Sequence, residues 1–251
     1  MFFGRKKKQK ELNKQQLQGS PLYSATQPTS LNAEQIRVLR TNLEYAQLNG
    51  KIKSIGVTSS IPGEGKSTVS ANLAHSLAAT GKRVLIVDAD LRKPTVHRTF
   101  NVSNMRGLTD LVIDHDENYT KFLHYLEDLD LYVLPSGPIP PNPSELLQSE
   151  NMTNLMISFA NDFDFIIYDL PPVTSVTDAQ IISRKVDGMI LVVRQGYVLK
   201  TELEKSLRNL KNVEAKLLGY VMNDVPKEQK ESYYYIYGSG TDFSNQSNDV
   251  E

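Results

Sequence analysis

The sequence predicts an α/β domain with a mostly parallel sheet and helices on both of its faces. Three observations carry that expectation. Uniformly apolar runs such as SIGVTS, RVLIVDAD and FDFIIYDLPP suit strands buried on both sides. Helical patterns alternate with these runs, as in parallel crossover units. The 251 residues are 39% hydrophobic and 23% charged, enough chain and apolar surface for a single large core.

In chain order, residues 1–30 are rich in Lys, Gln, Ser, Thr and Pro and predict a flexible basic and polar arm. The opening MFFGRKKKQK lacks the apolar stretch of a signal peptide. Its Arg5, Lys6, Lys7, Lys8 and Lys10 would each gain about 1 kcal/mol on an anionic membrane surface. A solvated run is the plainer reading. LNAEQIRVLRTNLEYAQL (31–48) predicts a helix capped by Asn32, with Ile36, Leu39, Leu43 and Ala46 at helical spacing. SIGVTS (54–59) is a strand, KSTVSANLAHSLAATG (66–81) a helix closed by Gly81, and RVLIVDAD (83–90) a strand. The stretch 95–128 has no clear period, and its structure stays open.

LYVLPSG (131–137) is a further strand, and SELLQSENMTNLMISFAN (144–161) one helix with Ser144 as its cap. FDFIIYDLPP (163–172) and DGMILVVRQG (187–196) are strands on either side of a short helix, TDAQIISRK (177–185). KTELEKSLRNLKN (200–212) is an amphipathic helix, and KLLGYVMNDV (216–225) the last strand. The domain therefore spans 31–225. A polar, tyrosine-rich tail, expected to be disordered, fills 226–251 and includes SYYYIYGSG.

Several function classes fall away. A net charge of −1 gives no reason to expect nucleic acid as the main partner. With no cysteine there is neither a disulfide nor a thiolate metal site, which fits a reducing compartment. No apolar run approaches the ~20 residues of a spanning helix. His75, His97, His115 and His124 show no ligand spacing.

SSIPGEGKST, between a strand and a helix, matches a phosphate loop in which Ser60 takes the place of the first glycine. Gly63 and Gly65 let the backbone wrap close to an anion, and the helix that follows turns its positive end toward it. Lys66 suits the β- and γ-phosphates, and the Ser67 hydroxyl suits Mg²⁺. Asp88, Asp90 and Asp169 end two further strands, and in a parallel sheet all these ends share the ligand-binding edge. Carboxylates beside a triphosphate loop make a magnesium site. The expectation is a P-loop NTPase that uses ATP and Mg²⁺.

IPGEGKS, VLIVDADLRKP and FIIYDLPP resemble the Walker A, A′ and B motifs of the bacterial tyrosine kinases of capsule and exopolysaccharide synthesis, and EQIRVLR and the tyrosine cluster strengthen the likeness. The likeness is to the separate cytoplasmic chain of low-GC Gram-positive bacteria. It implies an ATP-dependent autokinase whose acceptors are Tyr233, Tyr234, Tyr235 and Tyr237. Lys66, Asp88, Asp90 and Asp169 become catalytic, with Ser67, Asp90 and Asp169 at the metal. Asp88 is the preferred proton acceptor, although its division of labour with Asp90 stays open. Nucleotide contacts fall on Ser60, Gly63, Glu64, Gly65, Lys66, Ser67 and Thr68, and on Asn223 at the adenine, where a simple strand-ending turn is the competing reading. Glu34, Arg37 and Arg40 of EQIRVLR, by themselves a solvated helix face, become a self-association surface for a homo-oligomer such as a ring of eight. Arg92 and Lys93 either touch substrate or begin a loop.

The resemblance also implies a transmembrane adaptor, a cognate phosphotyrosine phosphatase and a cytoplasmic location at the inner face of the membrane. Septum-positioning and partition ATPases are the rival reading. They usually carry a further lysine early in the loop, where this chain has Ile61.

Overall fold

The computed structural model describes residues 19–48, 52–114 and 118–226. Its seven strands are β1 (Ser54–Ser59), β2 (Val84–Asp88), β3 (His124–Leu126), β4 (Leu131–Leu134), β5 (Phe165–Asp169), β6 (Gly188–Arg194) and β7 (Leu217–Asn223). They form one sheet in the order β3-β4-β2-β5-β1-β6-β7. Every pairing is parallel except that of β3 with β4. The mostly parallel sheet expected from the apolar runs is therefore present, and β1, β2 and β5 are buried along their whole length.

Successive strand residues point to opposite faces, so each central strand feeds two cores. Leu85, Val87, Ile166 and Tyr168 pack on one face with Phe159. Val84, Ile86, Phe165 and Ile167 pack on the other with Leu73 and Leu77. The helices that cover them are α1 (Tyr23–Thr26), α2 (Leu31–Leu48), α3 (Lys66–Ala78), α4 (Val96–Thr99), α5 (Leu108–Asp114), α6 (Pro143–Gln148), α7 (Glu150–Asp162), α8 (Asp178–Ser183) and α9 (Lys200–Asn212). Gly81 follows α3 at φ +76, the left-handed residue expected beyond a helix end.

Four expectations change. Residues 19–30 belong to the domain rather than to an arm. The Ser24 amide donates to Asn72 Oδ1 at 2.9 Å, and Asn72 Nδ2 donates to the Pro21 carbonyl at 2.8 Å. One amide on α3 thus satisfies both kinds of backbone group in a polar segment, and Leu22 packs against the core. The cap of α2 is Ser30, whose Oγ accepts from the Ala33 amide at 3.2 Å, not Asn32.

The helix expected over 144–161 is two helices. Ser149 sits between them at ψ 158, accepts from the Met152 amide and donates to the Leu146 carbonyl at 2.7 Å. Ser144 caps nothing and donates instead to Asp178 at 2.6 Å. The open stretch 95–128 contains α4, α5, a 3₁₀ turn over Tyr119–Phe122 and β3. The basic run within 1–18 and the tail over 227–251 lie outside the described residues.

His75 joins the N-terminal segment to α3, its Nδ1 2.9 Å from Ser24 Oγ. Burial holds this imidazole below its ordinary range, and burial with the Arg98 charge does the same to His97. Both therefore favour the neutral form in the fold. Their contribution is present above the ordinary histidine value of about 6.5 and is lost as the pH falls through the window below it. Measured against His75→Gln, in which every other titrating group is kept, the native melting temperature should fall between pH 7.5 and 5.5, by about 2–4 °C per kcal/mol lost. An unchanged difference across that range would exclude His75 as a source of the loss.

Candidate active site

The loop between β1 and α3 is built by two left-handed glycines and held from behind. Gly63 has φ +86 and Gly65 φ +93. A Cβ on Gly65 would stand 2.1 Å from Asn223 Nδ2. That amide donates to the Glu64 carbonyl at 2.8 Å, tying the end of β7 to the loop. Glu64 is fully buried, and its carboxylate accepts from the Ile61 amide at 2.8 Å and the Arg194 amide at 3.1 Å. Burial raises its proton affinity, against the opposing pull of the Ile61, Arg194 and Ser60 amides. The Arg194 guanidinium donates to the Gly63 carbonyl at 3.2 Å and pairs with Asp224 at 2.7 Å. Thr174 Oγ1 donates to the Ser60 carbonyl at 2.6 Å.

The front of the loop opens on a cavity of about 1040 Å³ lined by Gly63, Gly65, Lys66, Ser67, Thr68 and Asn223. Ser60 and Glu64 are placed differently from the expectation. Both are fully buried behind the loop, and Glu64 shapes the backbone instead of facing the cavity.

The carboxylates meet where the strand order brings three C-terminal ends together. Asp88 and Asp169 are direct partners across β2 and β5. Lys66 Nζ lies 3.0 Å from Asp90 Oδ2 and 3.6 Å from Asp169 Oδ2, and donates to Ser67 Oγ at 3.1 Å. Asp90 reaches the cavity wall, whereas Asp88 and Asp169 are fully buried beneath it. Asp88 Oδ2 accepts from the Thr95 and Val96 amides at 3.0 and 2.9 Å, and Asp90 Oδ1 from the Lys93 amide at 3.0 Å. The Ser70 hydroxyl lies 3.1 Å from Asp169 Oδ1.

Burial, with the charges of Asp169 and Asp90, pushes the Asp88 carboxyl well above the ordinary carboxylate range. Burial also raises Asp169, with Lys66 and Ser67 opposing. For Lys66, burial pulls the ammonium down, but Asp169 and Asp90 outweigh it and hold it above its ordinary value. Three carboxylates therefore share one ammonium, and Asp88 Oδ1 and Asp169 Oδ2 are buried without a hydrogen-bond partner.

Such an oxygen-rich, cation-poor set fits Mg²⁺, which takes one or two carboxylates and completes its shell with water and phosphate. Among the described residues no three His, Cys, Asp or Glu form a ready-made metal cage, as that chemistry also requires none.

Sequence reasoning missed Ser70, Thr174 and Arg194. Ser70 was findable, since it lies one helical turn after Lys66. Arg194 gives no local signal, because its partner Glu64 is 130 positions away. On α2, Arg37 pairs with Glu34 and donates to the Pro28 carbonyl at 2.8 Å. Arg40 Nη1 instead donates to the Ser76 carbonyl at 3.2 Å, fastening α2 to α3.

The close approach of Asn223 makes Gly65→Ala a direct probe of the loop. The substitution should weaken nucleotide binding by at least about tenfold, the equivalent of ~1.4 kcal/mol, by calorimetric titration. Asn223→Ala removes the atom that the new Cβ meets, so the double variant should lose less than the two single variants summed, with the strain of a positive φ remaining. Unchanged affinity in Gly65→Ala would show that the approach is immaterial.

A ParA family model, described as an NUBPL iron-transfer P-loop NTPase, matches residues 51–249. The chain has no cysteine, hence no thiolate for the iron in that description. It is 44% identical over 218 residues to Tyrosine-protein kinase YwqD of Bacillus subtilis (strain 168), covering 87% of this chain and 91% of that protein. Identity to the Putative tyrosine-protein kinase CapB of Staphylococcus aureus is 39% over 219 residues, covering 87% and 96%. The kinase domain of Escherichia coli tyrosine kinase ETK superposes with a TM-score of 0.79 at 30% identity, covering 92% of this chain and 86% of that one. With its nucleotide loop and carboxylate edge in place, the chain belongs to the bacterial tyrosine kinases on a ParA-type P-loop NTPase fold, and it is a protein-tyrosine kinase.

Proposed function

We propose that the chain phosphorylates its own tyrosine cluster, Tyr233, Tyr234, Tyr235 and Tyr237, with Mg·ATP as donor, and that a second copy supplies the acceptor. The path of β7 carries this reading. It runs parallel to its neighbour and ends at Asn223, on the cavity wall. The chain beyond it therefore leaves at the edge that holds Lys66, Asp90 and Asp169. The eleven residue-to-residue steps from Asp224 to Tyr235 span up to ~40 Å when extended, enough to enter a neighbouring copy.

Lys66, Ser67 and Thr68, with the backbone of Gly63 and Gly65, would hold the phosphates, and Asn223 would meet the adenine. Ser67, Asp90 and Asp169 would hold Mg²⁺ directly or through water. The bound metal supplies charge neutralisation on the transferred phosphoryl group. The tyrosine oxygen attacks the γ-phosphorus, the bond to the β–γ bridging oxygen breaks, and ADP leaves. Asp88 takes the phenol proton on Oδ1, the oxygen that the Thr95 and Val96 amides leave open.

Glu34 and Arg37, side by side on α2 with side-chain exposures near 39% and 38%, would contact the next copy in a ring. Arg40 supports them through its bond to α3. Among the described residues no helix is long and apolar enough to cross a membrane. In this reading a transmembrane adaptor of capsule or exopolysaccharide synthesis recruits the chain to the inner face of the membrane, and a phosphotyrosine phosphatase resets it.

Two measurements test the proposal. A Lys66→Met chain with an intact tail is mixed with an active chain lacking 226–251 and given Mg·ATP. Phosphotyrosine should appear on the Lys66→Met chain, and its absence would overturn transfer between copies. Asp88→Asn should lower turnover by about 10²–10⁴ while retaining nucleotide binding. Near-normal turnover would remove Asp88 as proton acceptor.

A further inference from the structure

A second, smaller cavity of about 490 Å³ adjoins the nucleotide cavity. The two share Arg92, Lys93 and Thr95 in their walls. The segment that separates them also sets the catalytic carboxylates, through the amides of Lys93, Thr95 and Val96. Among the described residues, the lining of the smaller cavity holds Arg92, Lys93 and Arg98 and not one carboxylate. Arg92 is locked in place from behind by Asp178, which is fully buried and accepts from Nε at 2.8 Å and from Nη2 at 3.2 Å. Ser144 accepts from Nη2 as well, at 3.1 Å. Thr95 Oγ1 and His97 Nδ1 are buried without a hydrogen-bond partner on the same wall. Pro94, Pro138 and Ile139 add apolar surface, and Ile139 is 63% exposed.

We infer that this cavity is a subsite for phosphotyrosine, holding a tyrosine that has already been modified while a neighbouring tyrosine of the same acceptor segment reacts. A phosphate ester brings nearly two negative charges and three acceptor oxygens, which match a fixed guanidinium and an ammonium better than one carboxylate does. The proline and isoleucine wall suits the phenyl ring below the phosphate. In an extended peptide, alternate residues recur about 6.5 Å apart on one face, the spacing of Tyr233, Tyr235 and Tyr237. The first transfer therefore creates the ligand that holds the segment for the next, and phosphates accumulate on a single segment.

The inference rests on the tail being the acceptor, so the test separates the two. Fluorescent peptides of sequence QKESYYYIYGSG (229–240), unmodified or phosphorylated at Tyr235, are titrated with the full chain in saturating Mg·ADP. The nucleotide occupies the phosphate loop and removes it as a competing anion site. The phosphorylated peptide should bind at least about tenfold more tightly, with a preference that shrinks as salt is added. A Lys93→Ala/Arg98→Ala double variant, which keeps Arg92, should cut the preference by at least about threefold. Equal affinities in the native chain, or a preference undiminished in the double variant, would overturn the inference. Phosphorylation of the unmodified peptide is followed in parallel with Mg·ATP. If that fails while the phosphopeptide preference persists, the acceptor assignment falls and the phosphate subsite stands.

Discussion

One ammonium, Lys66, stands against three carboxylates at the edge of the sheet, and the rest of the structure is arranged around that imbalance. Buried charge without a partner is costly, and Asp88 and Asp169 are completely buried. The cost is met locally by backbone amides from the segment after β2, by Ser70, and by Lys66 itself. It is met only in part, since an oxygen of each has no hydrogen-bond partner. That residual demand for positive charge suits the edge to a metal-bound polyphosphate. It also explains the strand order. With β2, β5 and β1 side by side, two acidic strand ends and the start of the phosphate loop coincide without any long excursion of the backbone.

The shared framework of partition ATPases and tyrosine kinases follows from the same economy. A phosphate loop, a lysine and strand-end aspartates position a nucleotide whatever the acceptor is, so the fold leaves the function open. What differs is what reaches the edge. Here β7 delivers the root of a tyrosine-bearing tail there, and the segment after Asp90 forms the basic wall of an adjoining cavity. Asp178 shows how far the support extends. It lies on α8, 86 positions from Arg92, yet it fixes the guanidinium that both cavities share.

Much of this was legible in the residues. β1 and α9 fall where the apolar run and the amphipathic pattern put them, because a strand buried on both faces and a half-buried helix have distinct periods. The loop and the strand-end aspartates were legible for a chemical reason, as few residue types can approach a phosphate or hold a magnesium ion. Part of what escaped depended on partners distant in sequence, and part on breaks and elements too short to disturb a period. A polar stretch such as 19–30 has the composition of an arm until Asn72 is seen to meet it. Ser149 sits inside a continuous helical pattern, and only its hydroxyl contacts with Leu146 and Met152 reveal a break. Glu64 looked like a ligand contact because it lies within the loop, although its carboxylate turns inward to amides from both ends of the fold. The stretch 95–128 is assembled from elements of three to seven residues, too short to show a period.

The contact between Asn223 and the loop also redefines the motif itself. The amide of Asn223 occupies the space that a side chain at position 65 would fill, and its bond to Glu64 joins residues 159 positions apart. A nine-residue signature read from Ser60 to Thr68 is thus half of a unit whose other half is written at the far end of the domain. Substitutions at the two places are constrained jointly, and a pattern search confined to the loop samples only one side of that constraint.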